Sequence, residues 1–215
     1  MNPAQEPHTA GPGYEPNRHC RGFSLVELLT VGAILVIIMA SAVPTILSMV
    51  HASRLRGVGS DFSGILQTGR IRSVQDDTYY SVYILGNQAY VDITANNGTA
   101  VAGSDPAIYM VPEVTSVAAA NAPATANLYG QFLPAGSTLA VGDGSTGNPI
   151  TFGPRGLPCT KQTAPGGTVC ESAGGATAFW VFFQDASTSA WEAVTVSPAG
   201  RIRKWYYGGG AWNGM

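Results

Sequence analysis

Charge is in short supply along this chain. Only 11% of its 215 residues are Asp, Glu, Lys or Arg, against about 25% in an average soluble domain. The formal net charge is −2, so the chain as a whole is not built to hold nucleic acid. Any such contact has to come from a local basic patch.

Histidine and cysteine are equally scarce, which limits the chemistry that side chains can perform. Downstream of Gly22 the chain has one histidine, His51, and two cysteines, Cys159 and Cys170. This set has none of the spacings of a zinc site, and nothing in the sequence resembles the nucleophile elbow of a hydrolase. The sequence therefore argues against an enzyme and predicts no catalytic residue, no metal, no cofactor and no small-molecule substrate.

The three cysteines divide into one and two. Cys20 precedes a long apolar run, while Cys159 and Cys170 lie 11 residues apart in a stretch rich in Gly, Pro and Thr, which is predicted to be a loop. If the chain is cut after Gly22, an even pair remains, and a disulfide between the two would stabilise the fold by up to ~3 kcal/mol. Such a bond needs an oxidising compartment such as the periplasm or the cell surface. Two free thiols are the alternative.

What the chain does have is one long apolar run near its start. Phe23 to Val43 spans 21 residues with a single formal charge, Glu27. A helix of this length, rising about 1.5 Å per residue, crosses a hydrocarbon core of ~30 Å. A carboxylate near one end of it is costly in lipid unless it has a partner. Residues 1–22 contain four prolines and a basic end that should stay on the cytoplasmic side, which is typical of a targeting segment.

Two interpretations of this N-terminus compete. In an ordinary secretory signal peptide, Leu28–Met39 would be the hydrophobic region and Ala40-Ser41-Ala42 the cleavage site. In the other interpretation the chain is cut after Gly22 and keeps the apolar run. The glutamate just before the hydrophobic region, the long leader and a helical pattern that continues past Val43 favour the second.

The segment Arg21-Gly22-Phe23-Ser24-Leu25-Val26-Glu27-Leu28 resembles the type III signal sequence of type IV pilins and type II secretion pseudopilins. In that family a basic leader and a Gly precede a Phe that becomes the methylated N-terminus, and a Glu follows four residues later. The resemblance implies that a prepilin peptidase cleaves between Gly22 and Phe23. It also implies that Glu27 neutralises the terminal ammonium of a neighbouring Phe23 in the helical core of a filament. Pro44 falls where many pilins have a helix-kinking proline.

The sequence after Pro44 predicts a second half of the same helix. Apolar residues recur every three or four positions, as on one face of an amphipathic helix, at Leu47, Val50, Leu55, Val58, Phe62, Ile65, Leu66 and Val74. We expect this face to pack on a sheet and Asp76-Asp77 to end the helix. The glycines at positions 57, 59, 64 and 69 should each cost about 1 kcal/mol relative to alanine. The predicted organisation is a leader (1–22), a transmembrane half (23–43), an amphipathic half (44–77) and a β-rich head (78–215).

From Thr78 the pattern changes to short strands separated by turn residues. The predicted strands are Tyr79–Leu85, Gln88–Ile93, Ala107–Val111, Leu128–Leu133, Thr138–Val141, Ile150–Phe152, Ala178–Gln184, Trp191–Ser197 and Ile202–Tyr207. Gly86-Asn87 and Pro198-Ala199-Gly200 are predicted turns, and Ser116–Ala126 and Gly142–Asn148 are predicted loops. A long N-terminal helix followed by a mainly antiparallel sheet is an α+β fold, of the kind that a pilin-like subunit needs.

Three further segments resemble the GspH/FimT group of pseudopilins and minor pilins. They are the helix end from Leu66 to Val74, where Gly69 replaces the alanine of that group, the segment from Ile150 to Gly156, and the segment from Val194 to Ile202, whose turn ends in Gly200-Arg201. The resemblance implies a subunit of a type IV pilus or a type II secretion pseudopilus, with prepilin peptidase, other pilins and the inner membrane as partners. It would be a single-pass protein of the bacterial inner membrane with its C-terminal head in the periplasm. A soluble secreted domain is the alternative.

The C-terminus contains the densest cluster of basic residues. Arg201, Arg203 and Lys204 are three of the nine Lys and Arg residues downstream of Gly22, and aromatic residues follow directly. The two arginines share one face of a strand, and basic groups beside stacking surfaces suit nucleic acid. The Gly-Arg-Ile-Arg pattern resembles the C-terminal motif of FimT-like minor pilins, which bind DNA during natural transformation. The resemblance implies a DNA-uptake function with phosphate contacts by the two arginines; Lys204 is added by proximity. The alternative is a solvated face, with Ile202 in the core and the aromatics docking the tail.

Overall fold

The computed structural model describes residues 23–94, 97–133, 138–139, 144–145, 147–164, 167–171 and 177–215. The chain divides into two compact units, one ending at Pro44 and one running from Thr45 to Met215. One helix, α1 (Leu25–Gln75), contributes residues to both units and contains Pro44. It ends just before Asp76 and Asp77, as predicted, and Asp77 has the left-handed φ of 47° that stops a helix.

The second unit contains two β-sheets and a short helix. The strands are β1 (Tyr80–Leu85), β2 (Gln88–Asp92), β3 (Ala107–Tyr109), β4 (Val114–Val117), β5 (Thr138–Leu139), β6 (Ile150–Phe152), β7 (Pro158–Ala164), β8 (Gly167–Glu171), β9 (Thr177–Asp185), β10 (Trp191–Val196), β11 (Ile202–Gly208) and β12 (Ala211–Gly214). A 3₁₀ turn (Ala119–Asn121) and the helix α2 (Thr125–Phe132) lie between β4 and β5.

Nearly all the strand pairs are antiparallel. The first sheet has the order β3-β2-β1-β6-β7-β8, and the second has the order β12-β11-β10-β9-β4, with β5 joining β9 in parallel. The predicted turn Gly86-Asn87 connects β1 to β2, whose pairing begins at Leu85 opposite Gln88. The α+β fold with a long N-terminal helix and a mainly antiparallel head is therefore confirmed, with two sheets in the head.

One face of α1 packs into the main core of the head. Leu55, Val58, Phe62, Ile65 and Leu66 are each at most 5% exposed and contact apolar residues of both sheets. The ring of Phe62 meets that of Phe183 edge-on at 5.2 Å. The predicted face is wrong at Leu47 and Val50, which are exposed and precede Leu55, the first core residue of the helix. It is also wrong at Val74, which is exposed because at 3.6 residues per turn it lies roughly 100° around the helix from Leu55. Ser73 occupies the buried position instead, and its hydroxyl donates to the carbonyl of Arg70.

A second core lies on the other face of the second sheet. It is built from Leu128 of α2, Trp180 and Phe182 of β9, Ala193 of β10, and Trp205 and Trp212. The ring of Tyr129 stacks on Trp180 with 4.0 Å between centroids. The strand predicted at Leu128–Leu133 is therefore wrong, and so is the loop predicted across Ser116–Ala126, which contains the end of β4, the 3₁₀ turn and the start of α2.

The remaining predicted strands agree with the structure to within one or two residues at each end where the structure describes them. Residues 140–143 and 146 lie outside the described residues, so the end of Thr138–Val141 and part of the loop Gly142–Asn148 are not covered. The loop predicted around the cysteines is wrong, because β7 and β8 form an antiparallel pair there, with Lys161 opposite Cys170. The two strands contain the β-branched residues that strands favour, at Thr160, Thr163, Thr168 and Val169.

Candidate functional site

The predicted processing segment lies directly before the start of α1. Phe23 and Ser24 precede the helix, and the amide of Leu28 donates to the carbonyl of Ser24 at 3.1 Å. Gly22 lies outside the described residues. Glu27 is in the first turn of the helix, where a carboxylate is favoured by the partial positive charge of the unpaired amide groups. A cut before Phe23 would therefore leave a new ammonium group within about one turn of a carboxylate.

The part of α1 that belongs to the first unit is apolar on all sides. Its large hydrophobic side chains between Leu25 and Val43 are 47–78% exposed, which is typical of a helix that other apolar groups cover. Among the described residues, α1 is the one helix whose length and composition would let it cross a membrane. A signal sequence would meet the same criterion. Pro44 ends this stretch, and its ring nitrogen cannot donate to the carbonyl of Ala40.

The three segments of the GspH/FimT resemblance meet at the C-terminal end of α1. Arg70 Nε donates to the carbonyl oxygen of Gly156 at 3.0 Å. Gly200 packs against both, because a methyl group there would lie 2.6 Å from Gly156 O and 3.2 Å from Arg70 Cζ. Both glycines have left-handed φ values, 67° and 74°, which side chains rarely adopt. The contact therefore requires glycine at both turns.

The basic residues of the C-terminal hairpin lie around two hollows. Arg201 and Arg203 border one of about 270 Å³ with Gln131, Thr195 and Ser197. Together with Lys204 they also border a second one of about 480 Å³, next to Ser63, Gln67 and Met215. Among the described residues, no Asp or Glu side chain lines either hollow. Both are therefore suited to an anion.

The side chain of Lys204 nevertheless has a partner of its own. Its ammonium group donates to the hydroxyl of Ser60 on α1 at 2.6 Å. Lys204 lies opposite Val194 in the β10–β11 register, whereas Arg203 lies opposite Thr195. Because successive side chains of a strand point to opposite faces, Lys204 faces α1 and Arg203 faces the side of α2. The lysine therefore differs from the arginine pair in direction and in partner.

Most of the C-terminal aromatic rings are part of the second core. Trp205 and Trp212 are each 2% exposed, and their indole nitrogens donate to Thr195 Oγ1 and to the carbonyl of Pro123. Tyr207 contacts Trp212 at 5.4 Å between centroids, whereas Tyr206 is exposed. The aromatics therefore hold the tail on the sheet, as the alternative interpretation expects.

The structure reveals a buried carboxyl group that the sequence does not single out. Glu192 on β10 is 1% exposed, and neither of its carboxyl oxygens has a hydrogen-bond partner among the described residues. Burial raises its pKa to about 7, although the positive charges of Lys204 and Arg56 act to lower it. The carboxyl lies against Gly59 of α1, where a side chain would collide with it. The available signal was one glutamate in line with Val194 and Val196 on the inward face of a strand.

The one histidine downstream of the leader joins α1 to the turn between β9 and β10. His51 Nδ1 lies 3.2 Å from Asp185 Oδ2, and the other carboxylate oxygen accepts from the amides of Ser187 and Thr188 and from the Thr188 hydroxyl. Burial alone would raise the pKa of Asp185, but these hydrogen bonds outweigh it and hold the pKa below its usual value. In the part of the chain that the structure describes, no three His, Cys, Asp or Glu residues are grouped to hold a metal.

Of the predicted disulfide pair, Cys159 lies on β7, is buried and is disulfide-bonded. Cys170 lies on the paired strand β8, and its side chain is outside what the structure describes. The specific bond between Cys159 and Cys170 stays a prediction.

Comparison with known proteins identifies one family signature. The prokaryotic N-terminal methylation motif matches residues 17–43, which include the leader end, the predicted cleavage site and the apolar half of α1. No curated protein and no solved structure matches the chain. The motif and the fold together support a type IV pilin-like, structural protein that is processed by prepilin peptidase and assembles with other pilins. The single N-terminal apolar helix fits anchoring in the inner membrane.

Proposed function

We propose that this chain is a minor pilin or pseudopilin, cut after Gly22 and assembled through α1 into a type II secretion pseudopilus or a type IV pilus. The observation that carries the proposal is the coincidence of two features in one stretch. The methylation motif covers residues 17–43, and the helix within it exposes apolar side chains all around. A surface of this kind needs lipid before assembly and other helices afterwards. The head would lie in the periplasm.

Glu27 has a definite role in this proposal. Once the chain is cut, Phe23 carries an ammonium group, and both this charge and the carboxylate would be costly alone in an apolar bundle. Pairing the Glu27 carboxylate of one subunit with the Phe23 ammonium of a neighbour removes both penalties. The pair would therefore favour one register between neighbouring helices.

The contact among Arg70, Gly156 and Gly200 supports the narrower assignment to the GspH/FimT group. The three segments on which that resemblance rests are far apart in sequence, and the guanidinium of Arg70 brings them together. Because the three segments meet in one contact, a substitution in one of them would affect the packing of the other two. This supports the view that the resemblance reflects a shared contact in the folded head.

N-terminal sequencing of the chain expressed with a prepilin peptidase tests the processing step. We expect the mature chain to begin at a methylated Phe23 and Gly22→Arg to remain uncut. A mature chain that begins near Val43 would show an ordinary signal peptide instead.

A filament assay tests the role of Glu27. Glu27→Ala should be inserted and cut like the wild type but be absent from sheared filaments, because the Phe23 ammonium loses its partner. Thr30→Ala, nearly one turn away on the same helix, is the matched control and should be incorporated normally. Normal incorporation of Glu27→Ala would contradict the assigned pairing. Secretion and pilus counts in a deletion strain separate the two systems.

A second candidate function is DNA binding by the head. The observation that favours it is the pair of hollows bordered by Arg201 and Arg203 without an acidic residue among the described ones. Each guanidinium could contact a phosphate, which gives affinity without sequence preference. Because the tryptophans beside them are buried, we expect the phosphates to supply the recognition.

Fluorescence anisotropy with a labelled DNA duplex, on the full chain in detergent micelles, tests this candidate. Arg201→Gln with Arg203→Gln should weaken binding and reduce the salt slope by about one for each phosphate that is no longer bound. Arg72→Gln with Arg155→Gln removes the same charge from exposed positions elsewhere and should leave most of the binding intact. If both double variants weaken DNA binding equally, the binding depends on net charge alone and the Arg201–Arg203 site is wrong.

A further inference from the structure

We propose that Glu192 is a proton-controlled contact between α1 and the second sheet: uncharged, it packs against Gly59, and once ionised it takes the ammonium group of Lys204 from Ser60. This device is independent of the proposed function. It rests on the arrangement of two neighbouring residues on the helix and two on the sheet.

The first half of the arrangement is the close approach of Glu192 to the helix. Gly59 has no side chain, and a methyl group there would collide with Glu192 Oε1. The carboxyl group is 1% exposed and has no hydrogen-bond partner among the described residues. A neutral carboxyl tolerates this site far better than a carboxylate, because desolvation penalises the charged form.

The second half is the lysine beside it. Lys204 donates to Ser60, the residue that follows Gly59 on α1. In the β10–β11 register Glu192 lies opposite Tyr206, and Lys204 is two residues away from Tyr206 on the same strand face. Such diagonal neighbours are ~7–8 Å apart at Cα, within reach of a long side chain. The ammonium of Lys204 can therefore exchange Ser60 for the Glu192 carboxylate without movement of the backbone.

The charged groups around Glu192 come from two elements. Arg56 approaches from α1 and Lys204 from β11, and both favour the ionised form; Tyr206 lies opposite on β11, and the neighbour on β9 is Phe183. The pKa of about 7 puts the transition near neutrality. Further from Glu192, α1 also contacts the head through His51 with Asp185, through the surface ion pair of Arg54 with Glu113, and through Arg70 with the carbonyl of Gly156.

A carboxyl-carbon NMR titration tests the device on the full chain, labelled with [¹³C]glutamate in detergent micelles. One resonance should titrate near pH 7 and be missing in Glu192→Gln. In Lys204→Met its midpoint should rise by about one pH unit, since a nearby positive charge shifts a carboxyl by at least that much. His51→Asn should leave it unchanged.

The variant Ser60→Ala tests whether Lys204 exchanges Ser60 for the Glu192 carboxylate or whether Glu192 is simply a buried carboxyl group. Ser60 is exposed, so the variant should fold, and it removes the competing partner of the lysine. The midpoint should then fall below that of the wild type. An unchanged midpoint in Ser60→Ala, or no glutamate resonance that titrates above its usual range, would overturn the proposal.

Discussion

Replacing Gly59 with alanine should destabilise the head, although helix propensity alone gives the opposite sign. Alanine is favoured over glycine inside a helix by about 1 kcal/mol. By that rule each glycine in the packed half of α1 is a position where alanine would help. The structure divides these glycines by what a methyl group would meet.

The magnitude follows from that comparison. At Gly57 and Gly64 nothing lies within 4 Å of the added carbon, so alanine should raise the free energy of unfolding by the full ~1 kcal/mol. At Gly59 the methyl group would overlap Glu192 Oε1, and the glutamate is enclosed, with 1% of its surface exposed. Overpacking of this kind costs roughly 1–3 kcal/mol. The net result is a destabilisation of about 1 kcal/mol, so the two kinds of variant should differ by ~2 kcal/mol.

Denaturant unfolding of the full chain in detergent micelles measures the difference. Tryptophan fluorescence reports on the head, because Trp180, Trp205 and Trp212 are buried there. In a Glu192→Ala background the obstacle is gone, and Gly59→Ala should become as stabilising as Gly57→Ala. If Gly59→Ala stabilises the unmodified protein as much as Gly57→Ala does, the close packing of Glu192 on Gly59 is wrong.

Three further predictions concern charge and hydrogen bonding. The folded pKa of Glu192, about 7 against an ordinary 4.5, gives stability that is present below pH 4.5 and lost as pH rises to about 7, in total roughly 3 kcal/mol. Glu192→Gln should remove this pH dependence, and unfolding midpoints at pH 5 and pH 8 that shift equally in both proteins would contradict it. The lowered pKa of Asp185 acts in the opposite sense, giving stability above its unfolded pKa that is lost as pH falls through the folded one. Asp185→Asn should cost about 2 kcal/mol at pH 7 and flatten the acid limb of the stability curve; an unaltered acid limb would refute the assignment. Arg70→Lys keeps the charge but loses the Nε donor to Gly156, so it should lower the free energy of unfolding by about 1 kcal/mol, whereas Arg72→Lys on the exposed side should not.

Much of the fold follows from local patterns in the sequence. The strand Ile150–Phe152 and the β1–β2 hairpin agree with prediction because alternation and the Gly86-Asn87 turn are local signals. The buried face of the helix was predictable from its spacing of three and four between Leu55 and Leu66, whereas Leu47 and Val50 fit the same spacing and are exposed. Val74 continues the series of apolar residues, but its position around the helix axis points away from the face that packs into the core.

The errors occur where a short segment is compatible with two structures. Leu128–Leu133 is apolar at both ends, which suits a strand or a helix of that length. The helix is favoured by the stacking of Tyr129 on the ring of Trp180. Because Trp180 lies on β9, about fifty residues later in the chain, the local sequence does not show this contact. The β7–β8 pair was not predicted because this stretch of the sequence is rich in glycine and proline, which favour turns and loops.

The candidate sites differ in the same way. The processing motif could be identified from sequence because a peptidase reads contiguous residues. The shared side of Arg201 and Arg203 follows from strand alternation. The inward side of Glu192 also follows from alternation with Val194 and Val196. Neither its contact with Gly59 nor the Lys204 contact with Ser60 could be predicted, since each depends on which turn of α1 crosses β10 and β11.

The contact at the end of α1 suggests what the Gly-Arg pattern of the last hairpin does. Gly200 meets Gly156 and Arg70, so its part is structural, and it fixes the β10–β11 turn against the helix. Arg201 follows at once, with its amide held by the Ser197 hydroxyl at 3.1 Å, and its exposed side chain has no structural partner of this kind among the described residues. A glycine that anchors the turn therefore sets the position from which the arginine projects. Replacing Arg70 should therefore disturb the shape of the basic hollows while Arg201, Arg203 and Lys204 all remain. Such a variant separates the effect of where the arginines are placed from the effect of their charge.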